Sequence, residues 1–315
     1  MEPPVHADPV TTDYLLVNPA AGGGRAEEAL PSLRVFARER SWRVEICVTS
    51  SPGDLAEKAR CAAIAGHRRI LVVGGDGTFQ ILLNALEHFP DTILGVIPAG
   101  GGNDLAASLG LPEDPLRAAA LLLKGETCRL DAVRVRTAEG RERLYVGGGG
   151  VGLDAEAARY ASGAYRNLRG RLRYLLAAVR ALYNFHSIPI RICSDMSELQ
   201  DLQASVLLVG VLNTPSYGAG LFLAPHAKTD DGRLDLVLVG ELRLAEVLAL
   251  LPSLWLTGEL KTKRVRRFQV ERVRIETRGP HSFHGDGEIL GTTPVEISVV
   301  PGAFRILRAP RETVG

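Results

Sequence analysis

The octapeptide Leu71-Val72-Val73-Gly74-Gly75-Asp76-Gly77-Thr78 constrains this fold more than any other stretch of the chain. Three consecutive aliphatic residues read as a buried parallel strand, because a strand covered on both faces loses the alternation of a half-exposed one. Two glycines, an aspartate and a third glycine then turn the chain. From Thr78 onward (Phe79, Ile81, Leu82, Leu83, Ala85, Leu86) the pattern is helical. A strand, a glycine turn and a helix N-terminus together present backbone N–H groups to an anion. Glycine also removes the Cβ that would hold a phosphate away. The stretch is read as a nucleotide phosphate site with Asp76 beside it. A tight turn that binds nothing is the plainer alternative.

A chain of 315 residues accommodates about two domains at roughly 150 residues each. Charged residues make up 23% and the net charge is +1, which gives no general attraction for nucleic acid, and none is expected as a partner. Cys47, Cys61, Cys128 and Cys193 form no CxxC pair, so buried or free thiols in a reducing compartment are expected. Residues Met1–Thr12 lack the apolar run of a signal peptide and read as a flexible tail. The longest apolar stretch, Val247–Gly258, contains Pro252 and falls short of the roughly 20 residues that span a bilayer. A cytoplasmic protein is expected, with any membrane contact peripheral.

The first part of the chain alternates strands and helices. Strands are expected at Tyr14–Val17, Arg43–Val48, Leu71–Val73 and Leu94–Pro98, with helices at Ala26–Glu39, from Asp54 to about Ala65, after Thr78, and at Leu105–Leu109. This predicts a parallel sheet covered on both faces, with its glycine turns at the carboxyl edge. Beyond about Gly125 strands dominate. They are expected at Cys128–Arg136, Arg143–Val146, Ile188–Cys193, Ser205–Leu212, Leu234–Val239, Val270–Thr277, Val295–Val300 and Phe304–Leu307, with helices at Arg171–Phe185 and Leu242–Leu256. This predicts a second, sandwich-like domain.

No GxxxxGK[ST] loop occurs, so a nucleotide would not bind in the P-loop manner. Gly147–Gly152 matches GxGxxG only by being nearly all glycine and is expected to be a flexible loop. His284-Gly285-Asp286-Gly287-Glu288 reads either as a hairpin turn or as a pair of carboxylates for acid–base or metal chemistry. Thr229-Asp230-Asp231-Gly232-Arg233 reads as a solvated turn or a cation site. Arg166, Arg169, Arg171 and Arg173 form one basic cluster, and Lys261, Lys263, Arg264, Arg266 and Arg267 another. Each is a solvated face or a contact for anionic lipid.

Taken in order, these motifs resemble the diacylglycerol kinase catalytic-domain family, which includes soluble bacterial lipid kinases, sphingosine kinases and ceramide kinases. Gly74-Gly75-Asp76-Gly77-Thr78 is similar to its GGDGT signature and Asn18-Pro19-Ala20-Ala21-Gly22 to its first glycine turn. Pro98–Gly100 with Asn103-Asp104 is similar to its PxGTxND segment. Asp286-Gly287-Glu288, with Pro294 and the Val300–Ala303 ending, is similar to its C-terminal signature. GGDGT alone is shared with NAD kinases; the set of four is far more specific.

The resemblance implies an α/β N-terminal domain with a parallel sheet, NAD kinase/diacylglycerol kinase-like, plus a C-terminal β-sandwich-like domain. The first would span 13–125 and be completed by about 301–308. The second would span 126–300, with the active site between the two. It implies an ATP-dependent kinase that transfers the γ-phosphoryl group to a lipid hydroxyl, as in phospholipid biosynthesis, with Mg2+ as cofactor. The lipid would be reached by peripheral membrane contact, and a homodimer is left open.

By position, ATP contacts fall on Asn18, Pro19, Ala20, Ala21, Gly22, Thr49, Gly74, Gly75, Asp76, Gly77, Thr78, Phe79, Gln80, Asn103 and Asp104. A metal position falls on Asp231, flanked by Lys228 and Arg233, which would lend only backbone carbonyls. Asp286 would accept the hydroxyl proton, supported by Glu288, although the base stays open among Asp286, Asp76 and Glu288. Gly101 stands where the family usually has Thr, and Gln80 where Asn is common. An NAD kinase and a non-catalytic nucleotide- or lipid-binding module are the rival readings.

Overall fold

The structure is a computed structural model and describes residues 12–165, 171–184, 186–218, 220–242, 244–258, 260 and 262–310. Most of the expected N-terminal tail lies outside these residues, as do Arg166, Arg169 and Lys261 of the two basic clusters. The first part alternates strand and helix. Strand β1 (Asp13–Val17) leads to α1 (Arg25–Glu39), β2 (Val44–Val48) to α2 (Pro52–Ile64), β3 (Arg69–Gly74) to α3 (Asp76–Ala85), and β4 (Ile93–Pro98) to α4 (Asp104–Ser108) and α5 (Pro115–Leu123).

The remainder is strand-rich. It runs β5 (Glu126–Arg136), β6 (Glu142–Tyr145), β7 (Gly148–Gly152), α6 (Leu153–Ser162), α7 (Arg171–Asn184), β8 (Ile188–Ser194), β9 (Leu202–Leu212) and β10 (Leu234–Gly240). It closes with α8 (Leu244–Leu256), β11 (Val265–Val270), β12 (Arg272–Thr277), β13 (Ser282–Gly285), β14 (Glu288–Thr292) and β15 (Val295–Arg308).

Two compact units divide the chain. The first takes Met1–Gly100, Leu109–Arg129 and Ala303–Gly315. Its sheet is parallel in the order β2-β1-β3-β4, and β4 also pairs in parallel with Arg305–Ile306 of β15. Ile70, Leu71, Val72 and Val73 are fully buried, as the unbroken aliphatic run requires. Helices α2 and α5 begin where local chemistry starts them. Ser51 and Asp114 each accept a backbone N–H of the first turn, and a proline follows each cap.

The second unit takes Gly101–Ser108 and Leu130–Gly302. Antiparallel pairing joins β14 to β13, β13 to β7, β7 to β9, β9 to β8, β8 to β12 and β12 to β15. Strand β10 pairs with both β9 and β11, and β5 forms a hairpin with β6. Val133, Tyr145, Val209, Leu236, Ile275 and Phe283 belong to its core.

Three expectations are overturned by the structure. Gly147–Gly152 is not a flexible loop: its last five residues are β7, buried and paired on both edges. Val270–Thr277 is not one strand. The Asp195 carboxylate accepts the N–H groups of Glu271 and Arg272 and breaks the run between β11 and β12. Conversely, Val295–Val300 and Phe304–Leu307 are one strand, continuous through Pro301-Gly302. Helices α5 and α6 had no counterpart in the expected pattern.

Candidate functional site

In the first unit, parallel pairing brings the carboxyl ends of β1, β2, β3 and β4 to one edge. Strand β2 lies on one side of β1 and β3 on the other, so the winding reverses between β1 and β3. Ligands of open α/β sheets bind outside such a reversal. Asn18 follows β1 there, and Gly74–Thr78 follows β3. Asn18 Nδ2 donates to Thr78 Oγ1 at 2.9 Å. Its backbone N–H donates to the Val73 carbonyl at 3.2 Å, and its side-chain oxygen accepts the Ala20 N–H at 3.2 Å. One side chain therefore fastens the Pro19–Gly22 turn to the start of α3.

The glycines around this edge do different work. A Cβ on Gly22 would lie 2.0 Å from the Ala99 carbonyl oxygen, and one on Gly74 would lie 2.5 Å from Thr78 Cβ. Both are needed for close passage of the chain. Gly75 is the N-cap of α3 and supplies no capping side chain. The first-turn N–H groups therefore have no side-chain acceptor at the cap, and the positive end of the helix is presented. Asp76 opens the helix and is half-buried. Thr49 is buried and donates its hydroxyl to the Val17 carbonyl at 3.0 Å. Phe79 and Gln80 are buried. Arg25 donates to the Gly100 carbonyl at 3.0 Å and ties the β4 turn to α1.

In the second unit, Asp286 and Gly287 form the two-residue turn between β13 and β14. Their φ values of 51° and 83° are both left-handed, the geometry that Asp-Gly hairpins supply. The Asp286 carboxylate accepts three backbone N–H groups: Val146 at 3.0 Å, Gly147 at 2.8 Å and Gly148 at 3.2 Å. Its own N–H donates to the Gly148 carbonyl at 2.8 Å. The glycine run makes this possible, since a Cβ on Gly147 would lie 2.8 Å from Asp286 Oδ1. Glu288, on β14, is exposed.

Asp104, at the start of α4, accepts the Ser216 hydroxyl at 2.7 Å and the Gly220 N–H at 3.0 Å. Asn103 beside it is buried at a φ of 59°. Lys228, Asp231 and Arg233 are exposed. Asp231 Oδ1 accepts the Arg233 N–H at 3.1 Å, which is turn chemistry. Among the described residues no three His, Cys, Asp or Glu side chains cluster as a metal cage. Asp235, just beyond this turn, is pushed up to about 6 by burial and then by the charge of Asp231, with His226 and Arg267 opposing. In the second basic cluster, Arg267 is bound to the carbonyls of Leu223 and Gly258, and Arg264 reaches the Glu241 carbonyl.

Sequence reasoning passed over Asp131. It is 1% exposed, and its carboxylate accepts the Gly232 N–H at 2.7 Å and the Gly302 N–H at 2.6 Å. Asn213, fully buried, donates to the carbonyls of Asp131 and Val146. An aspartate in the apolar run Leu130-Asp131-Ala132-Val133 was the available signal, because a buried carboxylate needs dedicated donors.

Comparison with known proteins adds to this geometry. Residues 13–135 match the family model "Diacylglycerol kinase catalytic domain". Residues 147–308 match "YegS C-terminal NAD kinase beta sandwich-like domain". The chain is 31% identical over 294 residues to a diacylglycerol kinase of Mycobacterium tuberculosis, covering 93% of this chain and 94% of that one. It is 27% identical over 285 residues to a diacylglycerol kinase of Bacillus subtilis, covering 90% and 91%. A crystal structure of a diacylglycerol kinase from Bacillus anthracis superposes with a TM-score of 0.70 at 23% identity, covering 95% of this chain and 97% of that one.

Proposed function

The chain belongs to the diacylglycerol kinase family and is an ATP-using lipid kinase, and from that premise we propose that its acceptor is the free hydroxyl of a diacylglycerol. The names of the two relatives support this acceptor class. The triphosphate is assigned to the β1/β3 reversal of the first unit. The observation that carries this assignment is the Asn18–Thr78 bond beside a helix whose N-cap is a glycine.

Asp286 is assigned as the acceptor of the hydroxyl proton. The attacking lipid oxygen forms the new bond to the γ-phosphorus, the bond to ADP breaks, and the proton goes to the carboxylate. Such transfer depends mainly on positioning, and three N–H donors hold this carboxylate in place. Among the described residues no three His, Cys, Asp or Glu side chains form a cage, so a Mg2+ would be held through the nucleotide phosphates, with Asp76 as the neighbouring carboxylate. The ion would neutralise charge on the phosphoryl oxygens.

No helix among the described residues is long and apolar enough to cross a membrane. Peripheral contact is proposed through α7, where Leu176, Val179 and Tyr183 are exposed at helical spacing. Arg171–Asn184 contains no acidic residue, which suits an anionic lipid surface.

The test supplies labelled ATP with diacylglycerol, phosphatidylglycerol, sphingosine, ceramide and NAD in separate reactions. Labelled phosphatidic acid as the main product supports the proposal. Label on sphingosine or ceramide moves the acceptor, and label on NAD or on nothing overturns the reading.

A further inference from the structure

Three polar side chains of the second unit meet in its interior, and the roles assigned above use none of them. Asp154 stands at the start of α6, Tyr217 in the segment after β9, and His284 on β13. Tyr217 donates its hydroxyl to Asp154 Oδ2 at 3.0 Å. His284 Nε2 lies 2.5 Å from the same hydroxyl oxygen and 3.2 Å from Asp154 Oδ2. The side chains of His284 and Asp154 are 2% and 4% exposed. With the tyrosine hydroxyl donating to Asp154, its oxygen is free to accept an Nε2–H. His284 Nδ1 is then an acceptor, and it has no hydrogen-bond partner among the described residues.

The fold makes deliberate room for this cluster. A Cβ on Gly150 would lie 2.1 Å from Asp154 Oδ2, and one on Gly148 would lie 2.6 Å from the Tyr217 ring. The glycine run thus accommodates Asp286, Tyr217 and Asp154 at Gly147, Gly148 and Gly150. The cluster also adjoins two segments of the candidate site. His284 is two residues before Asp286 and pairs with Gly150, while Gly285 pairs with Gly149. Tyr217 follows Ser216, whose hydroxyl binds Asp104, and precedes Gly220, whose N–H does the same.

We propose that Asp154, Tyr217 and His284 act as one positioning unit for phosphoryl transfer, fixing the Asp286 turn and the Ser216–Gly218 segment against β7. The proposal rests on the assignment of Asp286 as proton acceptor. On that assignment none of the three is itself the proton acceptor. A misplacement of about 1 Å at a reacting group costs up to about 100-fold in rate, so a buried three-way clamp beside the turn bears directly on kcat.

The experiment measures kcat, KM for ATP and KM for diacylglycerol in Tyr217→Phe, Asp154→Asn, their double variant, His284→Gln and His284→Ala, with the melting temperature of each. Tyr217→Phe keeps the ring and removes only the shared hydroxyl. Its kcat is expected to fall about 10- to 100-fold at unchanged KM for ATP. The double variant should be no slower than the slower single, because groups that act as a unit are not additive. His284→Gln, which keeps an N–H donor, should retain more activity than His284→Ala. A Tyr217→Phe kcat within twofold of wild type, or multiplying losses in the double variant, overturns the proposal. Where Tyr217→Phe fails to fold, equal kcat in folded His284→Gln and His284→Ala overturns it instead. A wild type inactive on every lipid overturns the function above and this inference with it; an active wild type isolates the inference.

Discussion

Replacing Asp286 by Asn is a near-isosteric change on paper, and sequence alone would expect it to leave the shape intact. The structure says otherwise. The carboxylate faces three backbone N–H donors, two on Oδ1 and one on Oδ2. An amide has only one oxygen, so whichever way it sits, its NH2 group opposes at least one N–H. If the oxygen keeps Gly147 and Gly148, the Val146 bond is lost. A hydrogen bond to a charged group contributes about 1.5–3 kcal/mol. At about 2–4 °C per kcal/mol for a unit of this size, the melting temperature should fall by ~3–12 °C.

The same variant removes the proposed proton acceptor, which should lower kcat by about 10²–10⁴-fold. The two effects separate experimentally. Calorimetry reads the first, and initial rates at saturating ATP, well below the transition, read the second. Glu288→Gln is the companion variant, since an exposed residue should leave the melting temperature within about 1–2 °C. An unchanged melting temperature in Asp286→Asn would refute the anchoring argument. A near wild-type kcat in a folded Asp286→Asn would refute the base assignment and move it to Asp76 or Glu288.

Other outcomes follow from the same geometry. Gly150→Ala should destabilise by about 3 kcal/mol or more, because its Cβ would lie 2.1 Å from Asp154 Oδ2 and 2.5 Å from the Val209 carbonyl oxygen; urea melts check this, and a wild-type midpoint would contradict it. Asn18→Ala removes the bonds to Thr78 and Ala20 and should raise KM for ATP more than it lowers kcat, as read by steady-state kinetics. Asp235 sits at about 6 in the folded chain against an ordinary 3.8. The folded state therefore binds the extra proton, and stability falls as pH rises between these values. Asp235→Asn should recover up to about 3 kcal/mol at pH 8 and nothing at pH 3, so equal gains at both pH values in denaturant melts would argue against it. Val179→Glu with Tyr183→Glu should weaken binding to anionic vesicles in flotation while leaving rates on detergent-dispersed lipid unchanged; unaltered flotation would remove α7 as the membrane face.

Local chemistry made much of this protein legible from its residues. Unbroken aliphatic runs such as Leu71–Val73 can be satisfied only by burial on both faces, so the parallel strands and the glycine turns after them could be read directly. Asp286-Gly287 offered a hairpin because few other dipeptides tolerate two left-handed residues, although the residues left a carboxylate pair for chemistry equally open. The order of four short motifs pointed to the kinase family, which the comparisons bear out. What the residues did not disclose was decided by contacts between segments far apart in sequence. Gly147–Gly152 has the composition of a loop, yet it is a buried strand because β9 and β13 pair with its edges and Asp154, Tyr217 and Asp286 occupy the space its missing side chains leave. The break at Glu271 was equally invisible, since the carboxylate that makes it belongs to Asp195, 76 residues earlier. A backbone N–H or a buried carboxylate must be satisfied by some partner, but the sequence does not state which, and only the folded chain supplies it.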